Sequence, residues 1–297
     1  MSTLLSATDE SFLPAEGTSL WKDAWRRLLK NKLAVVGAIL LVLMVAVVLI
    51  GPEVLPYTYD QQDFNALNQP PSLGHWFGTD ELGRDILVRC LAGGQISLKV
   101  ALVSTFVSIV IGVSYGAISG YIGGQTDEVM MRAVDVLYAL PFIFIVIVML
   151  SFFERSLMLL YIALGAISWL TMARIVRGQV LSLKNQEFVE AAVSIGVSRP
   201  GIIFRHLVPN TLGPVIVYST LTIPTVMLEE SFLSFLGMGV QAPLASWGTM
   251  VSSGVQSISI YPWQLIFPAV LMTLTLLSLN FVGDGLRDAL DPQMRKN

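Results

Sequence analysis

The sequence predicts an all-α integral membrane protein with six transmembrane helices, and three observations lead to this fold class. Of the 297 residues, 54% are hydrophobic and 13% are charged, and the mean hydropathy is +0.69. A soluble globular domain carries about 25% charged residues. Six apolar stretches have about the 20-residue length that a bilayer requires. The basic residues are unevenly shared between the segments that join these stretches.

The net charge and the cysteine and histidine content argue against other classes of protein. The formal net charge of −3 gives no general electrostatic attraction to nucleic acid. Cys90 is the one cysteine of the sequence, so neither an internal disulfide nor a cysteine-based metal site can form. His75 and His206 lie far apart in the sequence, and we interpret them as polar or interfacial residues. We therefore expect no metal site.

Each apolar stretch predicts one membrane span. The residues before the first stretch are mixed and acidic, unlike a cleaved signal peptide, so we expect the first span to be retained. The third and fourth spans are separated only by Glu154-Arg155, which predicts a tight helical hairpin. Four prolines predict kinks within or near spans: Pro141, Pro214, Pro224 and Pro268. The predicted spans are residues 33–55, 96–121, 131–153, 157–176, 211–227 and 263–282.

The lysine and arginine residues predict that both termini are cytoplasmic. Fourteen of them precede the first span, follow the sixth, or lie between spans 2 and 3 or spans 4 and 5, whereas three lie in the opposite loops. Basic residues accumulate on the cytoplasmic side of membrane proteins. Residues 1–32, 187–210 and 287–297 are therefore predicted to be cytoplasmic. We expect the first 18 residues to be disordered.

Residues 19–32 read SLWKDAWRRLLKNK and allow two interpretations. One is an amphipathic helix on the cytoplasmic surface, with basic residues toward the headgroups and apolar residues toward lipid. The other is a plain basic flank of the first span. In the first interpretation, the side chains that face lipid are Trp21, Trp25, Leu28 and Leu29.

Two regions are predicted to lie on the outer side. In residues 56–95, we expect Thr79 to cap a short amphipathic helix that ends at Gly93-Gly94. Residues 229–262 contain no lysine or arginine. Their mixture of apolar residues and glycine predicts a segment that dips part-way into the membrane.

The cytoplasmic segment EFVEAAVSIGVSRPGIIFRHLVPN, residues 187–210, is too polar to span a membrane. It predicts a helix over residues 187–195 that Gly196 terminates, followed by a short helix capped by Ser198 with Pro200 in its first turn. The side chains predicted on one face of the first helix are Phe188, Ala191, Ala192 and Ile195. Physical reasoning leaves two possibilities, a helix that enters a partner's groove and a loop helix packed on its own bundle.

A spacing pattern in this segment resembles the EAA loop of ABC importer permeases. Glu-Ala-Ala at 190–192 is followed after three residues by Gly196, and after nine more by His-Leu-Val-Pro at 206–209. The family pattern ends in Ile-x-Leu-Pro, and the His206 and Val208 variant is similar to the branch that imports peptides and nickel. Further stretches that resemble this branch are FGTDELGRD (77–85), MMRAVDVLYALP (130–141), ARIVRGQVLSLKNQEFVEAA (173–192), ESFLSFLGMG (230–239), SWGTM (246–250) and GDGLRDALDP (283–292).

The resemblance runs from about residue 19 to 293 and is to C-type permease subunits of the oligopeptide, dipeptide and nickel branch of binding-protein-dependent ABC importers. It implies the type I ABC importer permease fold, with residues 97–286 as the shared permease domain and residues 33–96 as an added first span and outer loop. It also implies a non-catalytic transport subunit for oligopeptides, with dipeptides, glutathione or a nickel chelate as alternative substrates.

The same resemblance implies the partners of the chain. These are a second homologous permease, two ATP-binding subunits that hold ATP and Mg²⁺, and an external peptide-binding protein. The sequence itself has no G-x-x-x-x-G-K-[ST] phosphate-binding loop, so we expect no nucleotide cofactor in this chain. Segment 187–210 would be the coupling helix that docks on an ATP-binding subunit. The residues expected at that contact are Glu187, Glu190, Ala191, Ala192, Gly196 and Arg199, although Glu187 and Arg199 also fit a solvated face.

Other charged residues allow two interpretations each. Glu229 and Glu230 lie at the outer end of the predicted fifth span. In one interpretation, one of them faces the pathway and binds the amino terminus of a peptide. In the other, both are solvated carboxylates at the membrane interface. Three residues of the outer loop also allow two interpretations: contact with the binding protein, or helix capping and salt bridges within the loop. They are Asp80, Arg84 and Asp85. Near the inner end of span 3, Asp135 is a functional candidate as a charge within the membrane, or it forms a structural pair with Arg132, which is the interpretation we favour.

An ion-coupled secondary transporter is the main alternative from another class. It requires coupling carboxylates or broken helices at mid-membrane, commonly in repeated halves. Spans 1, 2, 4 and 6 contain no mid-span acidic residue, and no repeat is evident. A membrane-anchored assembly protein is a third possibility. Only the importer interpretation requires an ATP-binding partner for uptake.

Overall fold

The computed structural model describes residues 20–153 and 156–290, and α-helices dominate both ranges. Within them, backbone pairing outside helices is limited to an isolated bridge between Thr79 and Asp85. The all-α prediction is confirmed. In chain order the elements are α1 (Leu20–Lys30), α2 (Lys32–Val54), α3 (Ile86–Ile122), α4 (Gly124–Ala139), α5 (Phe142–Phe152), α6 (Leu157–Leu183), α7 (Glu187–Ser194), α8 (Arg199–Gly201), a π-helical stretch (Ile202–Leu207), α9 (Val208–Asn210), α10 (Leu212–Phe235), α11 (Trp247–Ser257) and α12 (Trp263–Leu290).

Among the described residues, five helices are long and apolar enough to cross a membrane, namely α2, α3, α6, α10 and α12. The remaining predicted span, the third, is a bent pair formed by α4 and α5, whose directions differ by 89°. The break lies at Leu140-Pro141, where Leu140 is extended (φ −77°, ψ 132°). Proline lacks an amide donor and disfavours the helical conformation of the residue before it, which explains the break. The described residues therefore contain six candidate spans when the bent pair counts as one.

The expected helix from Thr79 to Gly93-Gly94 is wrong. Asp85 is the residue that caps α3, since its Oδ1 accepts a hydrogen bond from the Val88 amide at 2.9 Å. The helix then continues through both glycines. An added Cβ on Gly94 would lie 2.6 Å from the Trp247 ring, so the glycines serve close packing and do not terminate the helix.

Small residues bring α3 and α6 into close contact, and the two helices run in the same direction. An added Cβ on Gly116 would lie 2.2 Å from the Ala173 carbonyl oxygen, and one on Gly112 would lie 2.6 Å from the Met172 Cβ. Small residues allow transmembrane helices to approach closely, and dispersion contacts then hold them together. The main core lies between α2, α3, α6, α10 and α11 and includes Val48, Val100, Leu164, Met227, Leu233 and Trp247.

The first two helices pack against the last one. An added Cβ on Gly285 would lie 2.3 Å from the Ala34 Cβ and 3.2 Å from the Leu28 side chain. Leu28 therefore faces α12, which contradicts its expected position in lipid. Trp25 and Leu29 are exposed, as an amphipathic surface helix requires.

The helix directions divide the molecule into two ends. The basic end holds α1, the α3–α4 turn, residues 184–211 and the end of α12, and the loop end holds residues 55–85 and α11. Lys184 donates to the Gly120 carbonyl at the basic end, whereas Gln264 donates to the Thr79 carbonyl at the loop end, both at 3.2 Å. The expected disorder of residues 1–18, the Glu154-Arg155 turn, the side chain of Trp21 and the tail beyond residue 290 lie outside the described part of the chain.

Candidate functional site

Helix α7 projects from the basic end and has a buried side and an exposed side. Val189 and Ala192 are buried in a cluster with the α6 residues Val176 and Val180 and with Leu207. The exposed apolar side chains of the same segment are Phe188 (38% exposed), Val193 (54%) and Ile195 (80%). Of the four residues predicted on one face, only Ala192 packs against the chain, and the other three are exposed.

Gly196 ends α7 as predicted. Its φ of +81° lies in the left-handed region that favours glycine. Its amide donates to the Val193 carbonyl at 3.0 Å, and the Val197 amide donates to the Ala192 carbonyl at 3.0 Å. Ser198 precedes α8, but its side chain makes no capping hydrogen bond, so that part of the prediction is wrong.

A groove of about 550 Å³ separates α7 from the basic end of α3. Tyr121 lines one side, and Lys184, Glu190 and Arg199 line the other. In the part of the chain that the structure describes, Glu187, Glu190 and Arg199 form no ion pair. All three are exposed, as are Ala191 and Gly196. The expected coupling residues therefore share one accessible surface, with only Ala192 buried beneath it.

The outer residues Asp80, Arg84 and Asp85 are engaged in contacts within the chain. Asp80 pairs with Arg84 at 2.7 Å and with Arg89 at 3.4 Å. Asp85 contacts His75 at 2.8 Å besides capping α3. These contacts fit the interpretation of local capping and pairing. Contact with an external binding protein remains a prediction.

Glu230 is fully buried and connects α10 to α11. Its Oε1 accepts hydrogen bonds from Ser234 and Ser246, both at 2.7 Å. Ser246 is also the residue that caps α11. Glu230 is therefore neither a solvated interfacial carboxylate nor a residue that faces an open pathway.

Glu229 has different surroundings from its neighbour. It lines a cavity of about 580 Å³ between α10, α6 and the α4–α5 break. Its Oε2 is buried and has no hydrogen-bond partner among the described residues. Sequence reasoning treated the two glutamates alike because they are adjacent, whereas successive residues point in directions about 100° apart on a helix.

Two ion pairs join α4 to α6 near the basic end. Arg177 donates from Nε and Nη2 to the two carboxylate oxygens of Asp127, at 2.6 Å each. Arg174 contacts Asp135 at 2.7 Å, so the expected Arg132–Asp135 pair is wrong. Arg132 instead contacts Glu128 one helical turn earlier, at 2.5 Å. Sequence reasoning did not identify Asp127, although its position just before the predicted third span, on the same side as the arginines around the end of the fourth, was a usable signal.

Comparison with known proteins identifies the family. Residues 108–296 match the family described as "Binding-protein-dependent transport system inner membrane component". Residues 19–71 match the "N-terminal TM domain of oligopeptide transport permease C". The chain belongs to this permease family. Its members are membrane subunits of ABC importers, so the predictions of an integral inner membrane protein and of a non-catalytic transport subunit are confirmed.

Curated relatives match this permease along nearly its whole length. The "Oligopeptide transport system permease protein OppC" of Haemophilus influenzae is 51% identical over 282 residues, covering 94% of this chain and 91% of the relative. The proteins of the same name from Bacillus subtilis and Escherichia coli K12 are 47% and 50% identical, and each alignment covers 98% of this chain. They cover 95% and 98% of those relatives, respectively.

A solved transporter shares the fold of this permease. The structure titled "Inward facing conformations of the MetNI methionine ABC transporter" aligns with a TM-score of 0.54 at 20% identity, covering 68% of this chain and 96% of the other. At that identity the likeness concerns the fold alone. It confirms the predicted ABC importer permease fold. In addition, the described residues contain no group of three or more His, Cys, Asp or Glu side chains that could hold a metal ion.

Proposed function

We propose that this permease forms half of a membrane pathway for oligopeptides that an external binding protein delivers. Partner subunits hydrolyse ATP and drive the transport through segment 187–210. The oligopeptide substrate is inferred from the relatives named as oligopeptide permeases. A dipeptide substrate is the second candidate, because the "Dipeptide transport system permease protein DppC" of Bacillus subtilis is also 47% identical over 279 residues.

The exposed side of α7 is the observation that carries the coupling proposal. Phe188, Val193 and Ile195 expose apolar surface at the end of the molecule that carries most of the lysines and arginines. An amphipathic helix that lies in a partner's groove is a common mode of recognition. The unpaired Glu187, Glu190 and Arg199 would then form the polar rim of the contact.

The buried side of α7 explains how such a contact would transmit motion. Val189 and Ala192 pack on α6, and Lys184 bonds the end of α6 to the end of α3. A displacement of α7 would therefore move α6 and α3 together. Rigid-body movement of packed helices is one of the known ways to transmit a conformational change.

The surface of α4 supports a second permease as a partner. Of the residues of α4, only Val134 is buried, and the Asp127 and Asp135 ion pairs attach the helix to α6. At the end of α4, Leu137 and Tyr138 line the cavity at the α4–α5 break. We propose that a homologous subunit covers this surface and completes the pathway.

Membrane orientation and domain organisation follow from the same proposal. The basic end, including both termini, would be cytoplasmic, since ATP-binding subunits act there and basic residues accumulate on that side. Residues 1–32 would form the cytoplasmic start, 33–96 the first span with its outer loop, 97–286 the permease domain and 287–297 the tail.

Co-purification tests this proposal. The tagged full-length chain would be expressed in its own host and solubilised mildly as wild type, as Glu190→Lys and as Glu53→Lys. Glu53 is also exposed, and its reversal of charge lies at the loop end. We expect wild type and Glu53→Lys to retain a second permease and ATP-binding subunits, and Glu190→Lys to lose the ATP-binding subunits alone. Absence of ATP-binding subunits from all three, with peptide uptake persisting in ATP-depleted cells, would contradict the proposal.

A further inference from the structure

The cavity beside Glu229 lies at mid-height of three spans. It is bounded by Leu140-Pro141 at the α4–α5 break, by Thr171 near the middle of α6, and by Thr222 and Thr225 in the middle of α10. Non-helical backbone at membrane depth is tolerated where it is buried in protein or lines a water-filled cavity. The volume of about 580 Å³ is within the range of small-molecule binding pockets. The position and size both fit a place where transported solute pauses.

The polar lining of this cavity presents hydrogen-bond acceptors. Thr222 donates its hydroxyl proton to the Tyr218 carbonyl at 2.9 Å, and Thr225 donates to the Leu221 carbonyl at 3.2 Å. The Tyr138 and Thr171 hydroxyls are hydrogen-bonded to each other. A hydroxyl whose proton is already donated can offer only its oxygen lone pairs. The two threonines therefore favour a ligand that donates hydrogen bonds.

Glu229 adds negative charge to the same wall. The lining contains no lysine, arginine or histidine among the described residues, and the buried Oε2 has no partner there. Arg174, which lies over the Tyr138 ring at 4.3 Å, is paired with Asp135. A carboxylate out of contact with water is costly unless a cation or several donors meet it. The Oε2 of Glu230 also lacks a partner among the described residues, but its Oε1 accepts hydrogen bonds from Ser234 and Ser246, whereas Glu229 has no such pair of donors.

We infer that Glu229 binds a primary ammonium group of the transported solute in this cavity. A peptide's α-amino group is the cation of this kind that every unblocked peptide carries, and its three N–H donors suit one carboxylate and nearby hydroxyl oxygens. The inference rests on the proposed function as a peptide permease. It assigns to Glu229 a role in selecting and positioning the substrate inside the membrane.

Uptake by the complete transporter in proteoliposomes tests this inference. The second permease, the ATP-binding subunits and the binding protein stay unchanged, while this chain carries Glu229→Gln, Glu229→Asp or the control Glu53→Gln. With a labelled tripeptide below saturation, we expect Glu229→Gln to lower ATP-driven uptake about tenfold, the effect of losing one charge-assisted contact. Glu229→Asp should keep most of the uptake, and Glu53→Gln should keep all of it.

Two further readouts separate this role from a structural one. The thermal unfolding midpoint of Glu229→Gln should match that of wild type, and the Nα-acetylated peptide should not share the loss of uptake. Unchanged uptake by Glu229→Gln, equal losses in Glu229→Asp and Glu229→Gln, or equal proportional losses for both peptides would overturn the inference. A wild-type complex that fails to assemble or to import peptide with ATP would instead refute the proposed function.

Discussion

Helix α7 and the outer loop 77–85 both carry stretches typical of the same permease family, yet the two regions place their side chains in opposite ways. The charged residues of α7 form no ion pair within the described part of the chain and lie at the surface, and Ile195, directly after the helix, is 80% exposed. In the outer loop, Asp80 and Asp85 are held by intramolecular contacts. A shared sequence pattern therefore identifies the family, but burial and pairing indicate whether a residue serves a partner or the fold itself.

The glycines of the two regions show the same contrast. Gly83 and Gly196 both have positive φ, at +72° and +81°. An added Cβ on Gly83 would lie 1.8 Å from the Asp63 carbonyl oxygen, whereas one on Gly196 would meet no atom within 4 Å. Glycine is required at position 83 because of the left-handed backbone conformation and because a Cβ atom would clash there. At position 196 it is required for the backbone conformation alone.

The largest effect is expected for Gly83→Ala. The substitution adds a backbone clash to left-handed strain, so we expect a loss of at least about 3 kcal/mol in the free energy of unfolding. Gly196→Ala is the matched control and should cost about 1 kcal/mol through strain alone. Thermal unfolding of the purified chains compares them. Equal midpoints for the two variants would show that the outer loop is not a rigid part of the fold.

An intermediate effect is expected for Ile195→Asp. Ile195 exposes apolar surface on the proposed coupling contact, and a buried apolar anchor at an interface contributes about 1–2 kcal/mol or more. We expect association with the ATP-binding subunits to weaken about tenfold, with unchanged unfolding. The control is Leu73→Asp, which alters a leucine of the loop end that is 98% exposed. If Leu73→Asp weakens association as much as Ile195→Asp, α7 is not the specific contact.

The smallest effect is expected for Glu187→Gln. Glu187 is exposed and unpaired in the described chain, and rim charges contribute about 0.2–1 kcal/mol and mainly alter association rates. We expect a two- to threefold slower association with the ATP-binding subunits at low salt, a difference that about 0.5 M salt should remove through screening. Association kinetics at both salt concentrations measure it. A salt-independent loss would place Glu187 in the buried centre of the contact.

Local patterns in the sequence predicted the features that depend on local chemistry. The apolar stretches predicted the spans, and the glycine after the EAA stretch predicted the end of α7 at Gly196. Contacts between distant segments were not predictable in this way. In the sequence Gly94 resembles a helix terminator, whereas in the structure it allows Trp247 to pack closely. The ion-pair partner of Asp135, Arg174, lies 39 residues away in the sequence.

The candidate substrate contact shows the same limit. Glu229 and Glu230 have nearly the same sequence context, and only their different directions around α10 separate a cavity wall from a buried helix junction. The residues that decide the difference, Ser246 and Thr171, lie on other helices. The side of a helix that faces a cavity is therefore set by the packing of the whole bundle.

The glycine contact between α3 and α6 couples the tilting of the two helices. Because the two backbones touch at Gly116 and Ala173, neither helix can tilt without the other. The 27 residues of α6 give it a length of about 40 Å. A tilt of about 10° at the α7 end would then displace the far end by about 7 Å. A small closure at the basic end is thus enough to open or close a peptide-sized gap on the opposite side of the membrane.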